Sequence, residues 1–191
     1  MRELSLHLLD IAENSIAAEA KCIKIVVNED SRSDLLQMIV EDDGMGMSTE
    51  MVEKVIDPFT TTRTTRKVGL GIPLLKAAAE ACNGFLTIDS QPGKGTKIFV
   101  QFQRSHIDRM PLGDLVTTMM NLLVANLQIH WIFQYQYNGK VFVFDDQPIK
   151  NELEDMPLTE PGILNCIREM LKSGIMEINP DFSTDQVSIS K

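Results

Sequence analysis

Apolar and polar positions along the chain follow two rhythms, and these divide it into helices and strands. Leu4–Ala18 reads LSLHLLDIAENSIAA, with Leu4, Leu8, Leu9, Ile11 and Ile16 spread around most of a helical circumference. A helix that is apolar nearly all round is a buried helix. Yet His7, Asp10 and Asn14 fall on one stripe of it, at offsets of three and four residues. A buried carboxylate is costly unless something charged or hydrogen-bonding meets it. The stripe therefore demands a partner.

CIKIVV (22–27) and LQMIVED (36–42) are rich in β-branched residues and predict strands joined by a polar turn, Asn28–Asp34. STEMVEKV predicts a helix capped by Ser48, with Met51, Val52 and Val55 facing inward. DPFTTTRTTRKVG (57–69) has no periodicity and predicts a long irregular loop. IPLLKAAAEACNG restores the helical rhythm, with Pro73 in the first turn and Gly84 as the stop. FLTIDS and TKIFVQFQ predict two more strands around QPGKG.

Past a linker at Ser105–Pro111, the pattern predicts a helix over 114–127 and a hairpin turning at Asn138–Gly139. Two short helices follow, near 149–155 and 161–173, then a polar tail. The division is thus 1–104, an α-β-β-α extension over 105–180, and 181–191. The hairpin holds Trp131, Phe133, Tyr135, Tyr137, Phe142 and Phe144, of which the first four share a strand face. That face is either the core of the extension or a partner-binding surface.

Composition narrows the function classes. A formal charge of −9 gives no general attraction to nucleic acid or anionic lipid. No apolar run reaches membrane-span length, and the N-terminus lacks a signal-peptide pattern. Cys22, Cys82 and Cys166 have no metal or redox spacing, and three scattered histidines add no zinc motif. Sparse, unpatterned cysteines indicate a reducing, cytoplasmic location.

Three short glycine patterns carry candidate chemistry. In EDDGMGM, Asp42 ends a strand and Gly44 and Gly46 complete D-x-G-x-G; the glycines permit positive φ and close approach of a flat ligand. Alone, the same residues also suit an ordinary acidic turn. Gly69-Leu70-Gly71 opens a helix, where unpaired N–H groups suit phosphates. It lacks the G-K-[ST] of a P-loop, and the nearby Arg63, Arg66 and Lys67 either meet phosphate or are simply solvated. Gly93-Lys94-Gly95-Thr96 is by itself a hairpin loop.

Their order is more specific than any one of them. A helix with Asn14, then D-x-G-x-G, PFTTT, G-x-G and G-x-G-T resembles the GHKL ATP-binding family over residues 3–103. That family includes the catalytic domains of histidine kinases, anti-sigma-factor kinases, MutL, gyrase B and heat-shock chaperone ATPases. The resemblance implies an α+β fold of Bergerat type, a mixed sheet with helices on one face, followed here by the small α/β extension. It also implies roles: Asn14 for Mg²⁺, Asp42 for the adenine amino group, and Gly44 and Gly46 for room beside the ring. Gly69 and Gly71 would bind phosphates, with Thr61 and Leu70 in the same nucleotide-contacting lid, Asp57–Leu70. Gly95 and Thr96 would support the adenine side. Asp10 stands where members that phosphorylate water or a protein hydroxyl tend to carry a carboxylate, which accepts or orients the proton of a poor nucleophile.

Phosphoaccepting histidines of the family lie in a separate upstream helix. Only six residues precede His7, and no H-E-x-x-T-P-like segment exists, so a self-contained histidine kinase is not expected and His7 reads as a pocket-edge or surface residue. The expectation is a cytoplasmic Mg·ATP-binding protein that phosphorylates a Ser/Thr protein partner in the manner of anti-sigma kinases. The alternatives are a slow ATPase that switches a partner and a non-catalytic ATP-sensing module. Neither nucleic acid nor membrane is an expected partner.

Overall fold

The computed structural model of the protein describes residues 3–57, 71–153 and 157–182. In chain order the elements are α1 (Leu4–Ala17), β1 (Cys22–Asp30), β2 (Leu35–Asp42), α2 (Thr49–Ile56), α3 (Gly71–Ala81), β3 (Phe85–Gln91) and β4 (Gly95–Gln103). They continue with α4 (Leu115–Ala125), β5 (His130–Tyr137), β6 (Lys140–Asp145), α5 (Gln147–Glu152) and α6 (Pro161–Ile178). The predicted elements are all present. β1 and β2 run further than the sequence pattern suggested, so the polar turn between them shrinks to a few residues. α6 extends to Ile178 because Ile167, Leu171 and Ile175 keep a helical stripe buried past Ser173.

The six strands form one mixed sheet in the order β3-β4-β2-β1-β5-β6. All neighbours are antiparallel except β1 and β5, which run parallel from Cys22 opposite His130 to Glu29 opposite Tyr137. The turn at Asn138 (φ 49°) and Gly139 (φ 84°) has two successive left-handed residues, the geometry that matches the twist of a tight hairpin.

Alternation along the strands gives the sheet one buried face. Ile23, Ile25 and Val27 of β1, Met38 and Val40 of β2, Ile98 and Val100 of β4, and Trp131, Phe133 and Tyr135 of β5 all face the helices. α1 is buried over Leu4, Leu8, Ile11 and Ala12 and touches both α3 and α4. The start of α1 is satisfied from the linker: the Leu4 and Ser5 N–H groups donate to the carbonyls of Pro111 and Leu112 at 3.0 and 2.8 Å. The architecture is the α/β sandwich of the Bergerat type. Of the hairpin aromatics, Trp131, Phe133, Tyr135 and Phe144 are buried in a core continuous with that of the first region, since β5 extends the same sheet, and Tyr137 and Phe142 pack half-buried against it.

Three local expectations are corrected. Met51 of α2 is 42% exposed and Val52 half-buried, so Val55 alone is buried on that helix. Asn83, with φ 55°, takes the left-handed position after α3, and the Gly84 N–H closes the turn onto the Ala79 carbonyl at 2.9 Å. His7 is 3% exposed and packs inside the helical layer rather than on the surface.

Candidate functional site

The stripe on α1 meets the rest of the site where α1, α2, α3 and the β2–β4 end of the sheet converge. A cleft of about 730 Å³, its open mouth included, is lined by Ile11, Asn14, Ser15, Ala18, Asp42, Met45, Gly46, Met47, Met51, Val55, Ile72, Thr96 and Ile98. The walls are mainly apolar with a few convergent polar groups, the usual character of a small-molecule site. Met51 is at its lip, which is why that side chain is not packed inward.

Asp42 is the last residue of β2 and is 9% exposed. One carboxylate oxygen accepts the Gly44 N–H at 2.9 Å and the other the Ser15 hydroxyl at 2.5 Å. The carboxylate is thereby fixed in orientation at the cleft wall, and an oxygen accommodates more than one donor. Ser15 was not singled out from the sequence; its only signal is its place beside Asn14 on α1.

The glycines of the site are required by close backbone approaches. Gly46 (φ 64°) and Gly95 (φ 90°) have left-handed backbones, and a Cβ on either would strike the carbonyl of Gln91 or of Asp42. A Cβ on Gly71 would run into the Asp10 carboxylate. Glycine at the start of α3 is what lets Asp10 lie against that helix. Ser90 ties the last box together, contacting the Gly95 carbonyl and Thr96 Oγ1 at 2.9 Å each and accepting the Met47 N–H at 2.8 Å.

Among the described residues, three buried polar atoms of α1 have no hydrogen-bond partner: Asp10 Oδ2, Asn14 Nδ2 and His7 Nδ1. Nearly all buried polar groups in proteins are paired, so such a cluster marks either a site awaiting a ligand or a strained one. Burial is the main force holding the His7 pKa below its ordinary value, opposed by the Asp10 charge, so His7 favours the neutral imidazole.

The fold therefore brings together Asp10, Asn14, Asp42, Gly44, Gly46, Gly71, Gly95 and Thr96 around one end of the sheet. Thr61, Gly69 and Leu70, together with Arg63, Arg66 and Lys67, lie outside the described residues.

Residues 2–106 match the family described as histidine kinase-, DNA gyrase B-, and HSP90-like ATPase. A putative sensor histidine kinase NtrY-like of Rickettsia conorii is 29% identical over 108 residues, which cover 56% of this chain and 18% of that protein. The sensor kinase CckA of Brucella abortus is 34% identical over 84 residues, 42% of this chain and 9% of that one. The chain thus spans less than a fifth of the length of either kinase. Among solved structures, the Aquifex aeolicus MutL ATPase domain complexed with ADP is similar with a TM-score of 0.48 and 15% identity, over 82% of this chain and 69% of that one. The family match covers more than half of the chain and contains every residue of the cleft, and the chain belongs to the histidine kinase-, DNA gyrase B- and HSP90-like ATPases, sharing their ATP-binding domain.

Proposed function

We propose that the protein binds Mg·ATP in this cleft and transfers the γ-phosphoryl group to a hydroxyl of a protein partner in the cytoplasm. The observation that carries the reading is a pair of buried polar atoms without a partner among the described residues, Asp10 Oδ2 and Asn14 Nδ2, one helical turn apart on α1. Adenine fits the apolar slot between Met45, Met47 and Ile98, with its amino group donating to Asp42. The Asn14 amide suits Mg²⁺, which takes oxygen ligands. Which amide atom faces the cleft is an assignment that a half-turn of the group reverses. Bound there, Mg²⁺ would neutralise phosphate charge. Phosphates would lie toward Gly71, where the first N–H groups of α3 point outward.

Asp10 is the proton acceptor in this reading. The attacking hydroxyl oxygen bonds to the γ-phosphorus, the bond from phosphorus to the bridging oxygen of ADP breaks, and the hydroxyl proton passes to Asp10. A second reading, slow hydrolysis that switches a partner, is favoured by the sheet itself. Ile23 of β1 is the ladder partner of Asp42 on one side and of Trp131 on the other, so the cleft and the C-terminal strands share a rigid neighbour.

Incubation with γ-labelled ATP separates these outcomes. Label on a co-purified protein supports the kinase, free phosphate supports the switch, and intact ATP leaves an ATP-sensing module. Asp10→Asn should keep ATP binding and lower turnover roughly 10²- to 10⁴-fold. Unchanged turnover would return Asp10 to a structural role.

A further inference from the structure

At the end of the sheet away from the ATP cleft, the linker after β4 and the residues that follow α6 border a second cavity. It measures about 660 Å³, its open mouth included, and its walls are polar where those of the cleft are apolar. Glu29, Arg104, Arg109, Tyr137, Asn179 and Asp181 line it.

Asn179 is 5% exposed. Its Nδ2 donates to the Tyr135 hydroxyl at 2.7 Å, and that hydroxyl donates its single hydrogen to Glu29 Oε1 at 2.7 Å. Tyr135 can therefore only accept from Asn179, which fixes the amide with Nδ2 toward the tyrosine and leaves Oδ1 as an acceptor. Oδ1 has no partner among the described residues. The cations of the cavity are incompletely matched as well. Arg104 gives Nε to Glu29 Oε2 at 3.0 Å, while Arg109 gives Nε and Nη1 to the carbonyls of Arg104 and Met110 at 2.5 and 2.8 Å. Among the described residues, Arg109 forms no ion pair, and neither Nη of Arg104 nor Nη2 of Arg109 donates a hydrogen bond. We propose that this cavity binds a free α-amino acid, its carboxylate on the Arg104 and Arg109 guanidiniums and its ammonium on Asn179 Oδ1, with Asp181 as the counter-charge.

The lining selects this class of ligand. Arg104 and Arg109 balance Glu29 and Asp181, so a molecule carrying both charges complements the walls. An inorganic anion would meet the two carboxylates as like charges and bring no strong donor for the amide oxygen. A water molecule would pair that oxygen but leave Arg109 without a counter-charge. A carboxylate takes a planar guanidinium fork in parallel bonds, and an ammonium brings three donors. Pro111 and Leu112 of the linker also border the cavity, and their carbonyls receive the Leu4 and Ser5 N–H groups. A ligand here would thus sit against the segment that holds the start of α1. No sequence spacing announces the site, because β1, the linker and the end of α6 meet only in the fold.

The test uses the full chain, dialysed free of small molecules and without ATP. Its melting temperature is read with each proteinogenic L-amino acid in turn at millimolar concentration, and with acetate, methylammonium and inorganic phosphate as singly functional probes. At least one amino acid should raise it saturably, and none of the three probes should. By titration calorimetry, that amino acid should bind about 10- to 100-fold more weakly to Arg109→Gln, the scale of one lost charge-assisted contact. Its deamino analogue should bind the wild type more weakly by the same factor. Asp181→Asn, a change at an exposed side chain, should weaken binding severalfold. A flat response to every amino acid would overturn the proposal, as would a shift that phosphate reproduces, equal binding of the deamino analogue, or unchanged affinity in either variant. Should Arg109→Gln fail to fold, Asp181→Asn and the analogue decide. None of these readouts involves nucleotide, so failure here leaves the ATP reading standing.

Discussion

The two ends of the β1–β2 ladder treat buried polar groups in opposite ways. At the Ile23–Asp42 end, Asp10, Asn14 and His7 of α1 each hold one buried polar atom that has no partner among the described residues. At the Glu29–Leu36 end, polar atoms are gathered into a mutual network. Glu29 accepts the Tyr135 hydroxyl at 2.7 Å and the Arg104 Nε–H at 3.0 Å, and Asn179 donates to Tyr135 at 2.7 Å. One oxygen of Asn179 is that network's sole buried atom without a partner among the described residues. The second arrangement finds its partners within the fold, and the first does not find them among the described residues. Polar burial alone marks neither function nor stability; how completely the groups are satisfied tells them apart.

The largest effect should come from changing the carboxylate that accepts both Ser15 and Gly44 at the cleft wall. Asp42→Asn replaces an oxygen acceptor with an amide, and ATP affinity should fall by roughly 10²-fold or more, since a site built to bond one donor rejects the mismatch strongly. Isothermal titration checks this; retained affinity would remove Asp42 from the adenine site.

At the other end the loss should appear in stability alone. Glu29→Ala leaves Arg104 and the Tyr135 hydroxyl without their acceptor and should cost about 3 kcal/mol in denaturant unfolding, with ATP affinity unchanged. Weakened ATP binding at full stability would erase the distinction between the two ends.

The smallest predicted effect sharpens the boundary between them. Desolvation tends to raise the Asp43 carboxyl, but the N–H groups of Cys22 and Lys21 outweigh it and hold the pKa below its ordinary value of 3.8. A carboxylate with a depressed folded-state pKa contributes stability above its unfolded value, and that contribution is lost as pH falls through the folded one. Asp43→Asn should therefore flatten the acid limb of a stability–pH profile below about pH 4 and leave neutral-pH ATP binding intact. An unchanged acid limb would show that the pairing of Asp43 with the Lys21 and Cys22 N–H groups is inconsequential.

Much of this was legible from local pattern. The helical period of α1, the β-branched runs and the Asn138–Gly139 turn each act over a few residues, so their elements appear where the pattern puts them. The ordered boxes indicated the family and assembled Asp42, Gly46, Gly71 and Gly95 into one end of the fold. What was not legible depends on contacts between distant segments. Nothing in HWIFQYQY announces that it will run parallel to β1, and β5 is consequently part of the main sheet. Ser15 and Ser90 are ordinary helix and strand residues until Asp42 and Gly95 arrive beside them. Met51 follows the apolar period of α2, yet faces the cleft mouth, where an apolar ligand-facing wall and an apolar core position look alike in sequence.

The central claim is that the unpaired polar atoms of α1 are completed by a metal–nucleotide complex. Its most direct test is ATP titration, with and without Mg²⁺, of the wild type and Asn14→Ala. The account predicts that Mg²⁺ strengthens ATP binding to the wild type about tenfold or more, the scale of one lost charge-assisted contact, whereas Asn14→Ala binds metal-free ATP normally and gains little from the ion. Equal Mg²⁺ enhancement in the two proteins, or no ATP binding to the wild type, would contradict it.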